Sequence, residues 1–442
     1  MYYKIVILIC KLISKFMRLL GKNAGTLPGN IALRLNKNIL KYFKVKGTVI
    51  AVTGTNGKTS TTNLISNILS NNGTVVSNRE GNNINTGITS LLVKNSDLSG
   101  NIKCDYLVLE CDEHYIPVVF KDLKLDSFVV LNFFRDQLDR TGEVETLIQK
   151  IDKFLENYTG NLILNSDDPN VSRLGFNKDK CKVYYYGVEK FDGATKSMRD
   201  RGEGKYCPFC SGRLKYDYYQ YSHVGKFKCP NCDFGKNKID SIVEDIDLKK
   251  GTFKYSGKKF ETRYNTIYNM YNVSAAFLLS SLYDVSLDSL FNTVKNFELN
   301  NGRLESVIIN GCDTVLNLAK NPTGANVTLG FMNQDDSHKE LMLVLNDNVA
   351  DGKDVSWIWD INFSILNNVD RIITSGTRAY DMAVRIKNSG YDFKKIEVYP
   401  DIEEAVSNLY NNMGKKYVIF NYTATTDTRC AILNYKGDKN GL

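Results

Sequence analysis

The stretch AVTGTNGKTSTT, residues 51–62, sets an apolar run before two glycines, a lysine and a row of hydroxyl side chains. These residue types in this order suit a phosphate. Glycines let backbone N–H groups close around phosphate oxygens, and the N-terminus of a following helix adds positive potential. The loop runs Gly54, Thr55, Asn56, Gly57, Lys58, Thr59, Ser60. Lys58 is expected to reach the β- and γ-phosphates of a nucleotide such as ATP, and Thr59 to hold Mg²⁺. The longer G-x-x-x-x-G-K spacing fails because position 52 is Val, so this is a shorter variant of the loop. The plain alternative is a chance Gly-Lys-Thr at an ordinary strand–helix turn.

A second chemistry is carried by cysteine. CPFC supplies Cys207 and Cys210, CPNC supplies Cys229 and Cys232, and 18 residues separate the pairs. Each pair fits a tight knuckle, and four thiolates complete a tetrahedron around Zn²⁺. Four protein ligands close the site, which makes the metal structural. A redox pair is the alternative. The flanks are only modestly basic, which argues against nucleic acid. The other six cysteines are scattered and show no disulfide framework, as expected of reduced cytosolic thiols.

The elements that must position these residues follow from periodicity. The chain has 442 residues, 43% of them apolar, enough for about three domains of roughly 150 residues. From 47 to about 190 short apolar runs (GTVIAVTG, DYLVLECD, SFVVLNFF, NLILNSDD) alternate with helical pattern, as in a buried parallel sheet. Residues 195–240 break the pattern and read as an insertion that holds the cysteines. A second alternating series begins near 303 (TVLNLAK, ELMLVLN, RIITSG, KYVIFNY) and reads as a separate doubly wound domain. The expected division is an N-terminal helical segment over 1–45, a central domain over 46–302 with the insertion at about 200–240, and a C-terminal domain over 303–442. The N-terminal segment is too short and too charged to span a bilayer. It reads either as an amphipathic helix packed on its own domain or as one lying on the cytoplasmic leaflet. The net charge of +8 is too small to argue for nucleic acid but suits an anionic substrate or membrane surface.

Further motifs follow in order. The short loop resembles that of Mur ligases and folylpolyglutamate synthases. LECDEHY is similar to the Mur strand whose carboxylate ligates Mg²⁺, which implies that role for Glu110. LNFFRDQLDR matches a Mur segment at Asn132, Asp136 and Asp139, with Gln137 standing where many Mur ligases have His. LNSDDP resembles an adenosine-contacting motif and implies Asn165, Asp167 and Asp168. YNMYNVSAA resembles a Mur helix, matching at Asn269 and Asn272, with Tyr268 in place of another His. NGRLE resembles the hinge to the C-terminal domain, whose Arg303 would touch the γ-phosphate. The cysteine ribbon, TLPGNIAL, KNPTGA and ADGKDVSWIWD extend the resemblance over nearly the whole chain, to the MurT family. It implies an α/β fold: a Mur-ligase-like central P-loop domain with a doubly wound sheet, an inserted four-cysteine zinc ribbon and a C-terminal Rossmann-like domain.

The resemblance also implies an activity: ATP-dependent amidation of the α-carboxylate of D-Glu in the lipid II stem peptide, through an acyl phosphate. The ammonia would come from glutamine hydrolysed elsewhere. A glutaminase needs an activated Cys paired with His. This chain shows no Gly-x-Cys-x-Gly, and His114, His223 and His338 have no convincing Cys partner. The family accordingly implies a GatD-like glutamine amidotransferase subunit as partner in a heterodimer, with the chain cytoplasmic at the inner face of the membrane. In that family the residue matching Asp354 would complete the partner's Cys–His pair, although Asp351 and Asp360 are close by. Trp357 and Trp359 would suit the interface. The alternative is a Mur- or folylpolyglutamate-type ligase that adds an amino acid to a carboxylate. Outside that class stand a zinc-ribbon nucleic-acid binder and a catalytically dead scaffold.

Overall fold

The computed structural model describes residues 2–21, 25–79, 81–135, 143–197, 203–263, 265–297 and 303–435. Asp136, Gln137 and Asp139 lie outside them. The elements between Tyr2 and Phe297 form one compact unit and those from Arg303 onward form another.

The first unit opens with helices α1 (Tyr2–Leu19) and α2 (Leu27–Leu35). Strand β1 (Thr48–Thr53) then feeds α3 (Lys58–Leu69), followed by β2 (Val75–Ser77), α4 (Asn85–Asn95), β3 (Tyr106–Glu110) and β4 (Ser127–Val130). After α5 (Val144–Leu155) come β5 (Asn161–Asn165) and β6 (Lys182–Val188). A small antiparallel hairpin, β7 (Lys215–Tyr221) with β8 (Val224–Lys228), stands apart as its own sheet. The main sheet resumes with β9 (Ser241–Asp247), β10 (Thr252–Tyr255) and β11 (Lys258–Glu261). Two helices, α6 (Ile267–Ser281) and α7 (Leu287–Asn296), close the unit.

The nine strands run β11-β10-β9-β6-β5-β4-β1-β3-β2. Seven are parallel, and β10 and β11 add an antiparallel edge. The cysteine insertion falls between β6 and β9, which pair directly as Ser241 with Tyr186 and Val243 with Val188, so the sheet closes over it. Both faces of β1 are buried, as a parallel strand covered on two sides requires. Val49 and Ala51 share a core with Leu107, Leu109, Phe128 and Ile148, and the inner side of α1 (Val6, Ile7, Cys10) packs into the same core.

The chain reverses direction across the sheet at β1, with β3 on one side and β4 on the other. In open parallel sheets the carboxyl ends at such a switch point form the ligand crevice. Register brings those ends level: Val52 pairs with Glu110, Thr53 with Val130 and Val130 with Leu164.

The second unit holds six strands. Antiparallel β12 (Arg303–Ile309) and β13 (Cys312–Leu318) lead into parallel β14 (Lys339–Val344), β15 (Val369–Ser375), β16 (Ile396–Val398) and β17 (Lys415–Phe420), ordered β12-β13-β17-β14-β15-β16. Helices α8 (Pro322–Met332), α9 (Ala379–Asn388), α10 (Ile402–Leu409) and α11 (Thr425–Asn434) accompany the strands. Alternate residues of β14 go to two cores: Leu341 and Leu343 pack with Leu329 and Met382, and Met342 and Val344 with Val406 and Ile432.

Candidate active site

The loop after β1 is shaped by two glycines in the left-handed half of conformational space, Gly54 at φ 137° and Gly57 at φ 88°. At Gly57 a Cβ would lie 2.4 Å from Asn272 Oδ1, so a side chain fits neither the backbone nor the space. Helix α3 starts at the next residue and turns its first N–H groups toward the crevice. Asn132, just past β4, clamps the loop: its Oδ1 accepts from Asn56 N–H at 2.9 Å and its Nδ2 donates to the Asn56 carbonyl at 2.9 Å. Thr55 is tied to Phe134 by two further bonds of 3.3 and 3.0 Å.

Lys58 is buried and lies back over the loop, donating to the Gly54 carbonyl at 2.6 Å and pairing with Glu113 at 3.1 Å. Burial pulls its ammonium pKa down, but the carboxylates of Glu113, Asp112 and Glu110 outweigh this and leave it raised. Glu113 is a partner that sequence reasoning missed. It sits three residues past the end of β3, where it opens a short 3-10 turn over Glu113–Tyr115 capped by Asp112.

Glu110 ends β3 and is buried. Asn83 Nδ2 donates to its Oε1 at 2.8 Å, while Asn78 holds its backbone through bonds of 2.8 Å to both N–H and carbonyl. Glu110 Oε2 has no partner among the described residues. A Cβ placed on Gly81 would lie 3.7 Å from that oxygen and 3.6 Å from Thr59 Oγ1, so both oxygens border the space that the glycine leaves open. An unpartnered buried carboxylate oxygen beside a hydroxyl is a hard-oxygen donor set, which fits Mg²⁺. Asn78, Gly81 and Asn83 were also missed; their signal is the density of Asn and Gly in SNREGNNIN directly after β2.

Asn165 closes β5 and bonds the Leu131 carbonyl at 3.1 Å. Asp167 is fully buried, accepts from Tyr271 at 2.7 Å, and burial lifts its carboxyl pKa to about 6. Asp168 caps the turn at Asn170, accepts from Phe133 N–H at 3.0 Å, and faces His223 Nε2 at 3.3 Å. Asn269 and Asn272 lie on α6 and bond each other at 3.1 Å; Asn269 Nδ2 has no partner among the described residues. The loop, Lys58, Thr59, Ser60, Glu110, Asn132, Asn165, Asp167, Asn269 and Asn272 thus belong to one unit, at or near the carboxyl ends of adjacent strands. Arg303 belongs to the other unit, where it opens β12.

The four cysteines converge. Cys207 and Cys232 sulfurs are 3.6 Å apart, Cys210 and Cys229 are 3.4 Å apart, and all four lie within 4.8 Å of one another. A zinc–thiolate tetrahedron with bonds of about 2.3 Å has sulfur–sulfur edges of about 3.8 Å, so the cluster fits the metal. None of the ten cysteines is in a disulfide. Leu214, Phe227 and Phe234 form a small core under the cluster. The tip of the β7–β8 hairpin reaches residues just past the carboxyl ends of β4 and β5. Gly225 N–H donates to the Asp167 carbonyl at 2.9 Å, the His223 and Phe134 rings are 4.7 Å apart, and Tyr221 meets Tyr271 edge-on.

In the second unit Asp354 is exposed on the loop after β14. Its Oδ1 accepts from Ser356 N–H at 2.8 Å, which holds its carboxyl below the usual range. It borders a concavity of about 450 Å³ with Trp359, Arg378, Tyr380 and Val384. Asp351 is instead buried and bonded to Thr423. The two tryptophans part ways: Trp357 packs against its own unit's core, while Trp359 is exposed beneath the Arg385 guanidinium.

The fold is that of peptide ligases of the Mur type. A pseudomurein peptide ligase type C from Methanothermus fervidus superposes with a TM-score of 0.68 at 22% identity, over 90% of this chain and 80% of that one. MurF from Thermotoga maritima, solved in complex with ADP, gives 0.63 at 15% identity over 92% and 82%. The Mur ligase middle domain model matches residues 52–280 and the MurT ligase C-terminal model residues 318–425. The MurT subunit of a lipid II isoglutaminyl synthase (glutamine-hydrolyzing) from Staphylococcus aureus is 34% identical over 94% of each chain. The subunit of the same description from Streptococcus pneumoniae is 31% identical over 93% of this chain and 92% of its own. The chain belongs to the MurT family of Mur-type ligases.

Proposed function

We propose that this chain is the synthetase subunit of a glutamine-dependent amidating enzyme that converts the α-carboxylate of D-Glu in the lipid II stem peptide to D-isoglutamine. Its relatives' description as lipid II isoglutaminyl synthase subunits supports the substrate and product. The observation that carries the chemistry is the meeting of Lys58, Thr59 and the unpartnered Glu110 oxygen at the N-terminus of α3. That is an arrangement for ATP phosphates with a divalent cation.

A carboxylate oxygen of the substrate attacks the γ-phosphorus of ATP, and ADP leaves. Ammonia then adds to the acyl carbon, and inorganic phosphate departs as the amide forms. Lys58 and the loop N–H groups hold the phosphates and offset charge that grows in the transition state. Mg²⁺, when bound at Thr59 and Glu110, neutralises phosphate oxygens. Asn165, Asp167, Asp168 and Asn269 are the residues proposed to meet the adenosine. Zn²⁺ at the four cysteines is structural.

The ammonia comes from a GatD-like partner. Asp354 supplies the carboxylate that orients that partner's catalytic histidine, a role that an exposed carboxylate beside a concavity can fill. The test combines the purified chain with the partner, lipid II, ATP and glutamine. The expected product has one hydroxyl replaced by an amino group, with equimolar ADP and glutamate. ADP formation without amide, or incorporation of an amino acid instead, would overturn the proposal.

A further inference from the structure

Helix α1 presents three distinct faces. Val6, Ile7, Cys10 and Ser14 are buried against the rest of the unit. At about 100° per residue, Ile5, Leu8, Ile9, Leu12, Phe16 and Leu19 fall on a stripe about 100° wide. That stripe is open to solvent: Leu12 is 58% exposed, Phe16 61% and Leu19 77%. Lys4, Lys11, Lys15 and Arg18 fill the sector between the two. No other element among the described residues exposes so continuous an apolar row, and nothing among them covers it.

Charge decides what suits this face. Residues 1–46 hold ten Lys and Arg and no Asp or Glu, so this segment alone is more positive than the whole chain at +8. A second copy docking through the same helix would bring two wholly basic segments together, which is unfavourable. No helix among the described residues is long and apolar enough to cross a membrane. An apolar stripe edged by cations on a helix already anchored along its opposite side is matched by an anionic bilayer.

We infer that α1 docks this protein on an anionic membrane surface, lying in the plane of the interface with its apolar stripe at the acyl boundary and Lys4, Lys15 and Arg18 among the lipid phosphates. The inference does not rest on the amidation reading, though a lipid-anchored substrate would be met at the same surface.

Sedimentation of the full chain with vesicles, free of any substrate, tests it. The chain should bind vesicles containing phosphatidylglycerol and bind pure phosphatidylcholine vesicles at least about tenfold more weakly. Leu12→Glu/Phe16→Glu should weaken the binding by about tenfold or more, as should Lys4→Glu/Lys15→Glu and high salt. Both pairs sit on the exposed side, so melting temperature and ATP turnover on a stem peptide lacking the lipid should be unchanged. Equal binding to uncharged vesicles, or wild-type binding by Leu12→Glu/Phe16→Glu, would overturn the inference. So would a dimer that the same substitution abolishes in a chain that does not bind vesicles, since the face would then join copies of the protein. Loss of amidation with vesicle binding intact would count against the proposed function alone.

Discussion

Lys58 is bonded to the loop it belongs to and neutralised by Glu113, so one substitution there has two separable effects. Lys58→Ala should cut ATP turnover by about 10²–10³ because the charge opposite the developing phosphoryl charge is gone. It also strands a buried carboxylate, which typically costs about 3–5 kcal/mol. Lys58→Ala/Glu113→Gln should therefore recover most of the melting temperature without recovering phosphate release; recovery of both would remove Lys58 from the chemistry. Asp167 gives a pH signature. Its folded pKa is about 6, above the unfolded value of about 4. The folded state holds the proton more tightly, so the stability contributed by the neutral carboxyl is present below about pH 4 and is lost as pH rises through 6. Asp167→Asn keeps the shape beside Tyr271 and should flatten that part of the stability profile, measured by denaturant unfolding of the free chain. An unchanged profile would assign the slope to other groups.

The cysteine ribbon acts as an element on its neighbours. Its hairpin tip is bonded to Asp167 and faces Asp168 through His223, so its order is coupled to the end of the main sheet proposed for the nucleotide. Metal analysis should find about one zinc per chain. Cys207→Ser, or chelation, should lower the melting temperature and weaken nucleotide binding, read by calorimetry. Nucleotide affinity that survives intact after metal loss would show that the hairpin merely rests on the sheet. Glu110→Ala tests the opposite end of the crevice. It removes the unpartnered oxygen at the end of β3 and should raise the Mg²⁺ concentration needed for half-maximal turnover by about tenfold or more.

At the scale of the molecule, the two units are proposed to serve two reactions, ligation in the first and support of a partner's glutaminase in the second. Asp354→Asn should keep complex formation and ATP binding yet lose most glutamine-dependent amidation, because an amide cannot stabilise a charged imidazole. Added ammonium should restore part of the activity, since Lys58, Thr59 and Glu110 are untouched. Full activity with glutamine would refute the shared carboxylate. Failure of ammonium to rescue would assign Asp354 to the ligation chemistry instead.

Much of this protein is local and was legible in one dimension. The loop proposed for phosphate is contiguous, its glycines announce their backbone conformation, and the strand and helix around it have distinct periods. The paired cysteines carry their own spacing, and the buried parallel strands read as unbroken apolar runs. What the tertiary structure decided is the company each residue keeps. Glu113 lies three residues from Glu110 in sequence, yet one pairs with Lys58 while the other keeps an unpartnered oxygen beside the space at Gly81 that Thr59 also borders. Asp351 and Asp354 share one loop, and only packing against Thr423 buries the first and leaves the second exposed. Trp357 and Trp359 look equivalent in the sequence, but one packs partly buried against the core and the other is exposed. The contact of His223 with Asp168 joins residues 55 positions apart. Such pairings depend on strand register and on how an insertion folds back over a sheet, and neither is encoded in the spacing of the residues that they bring together.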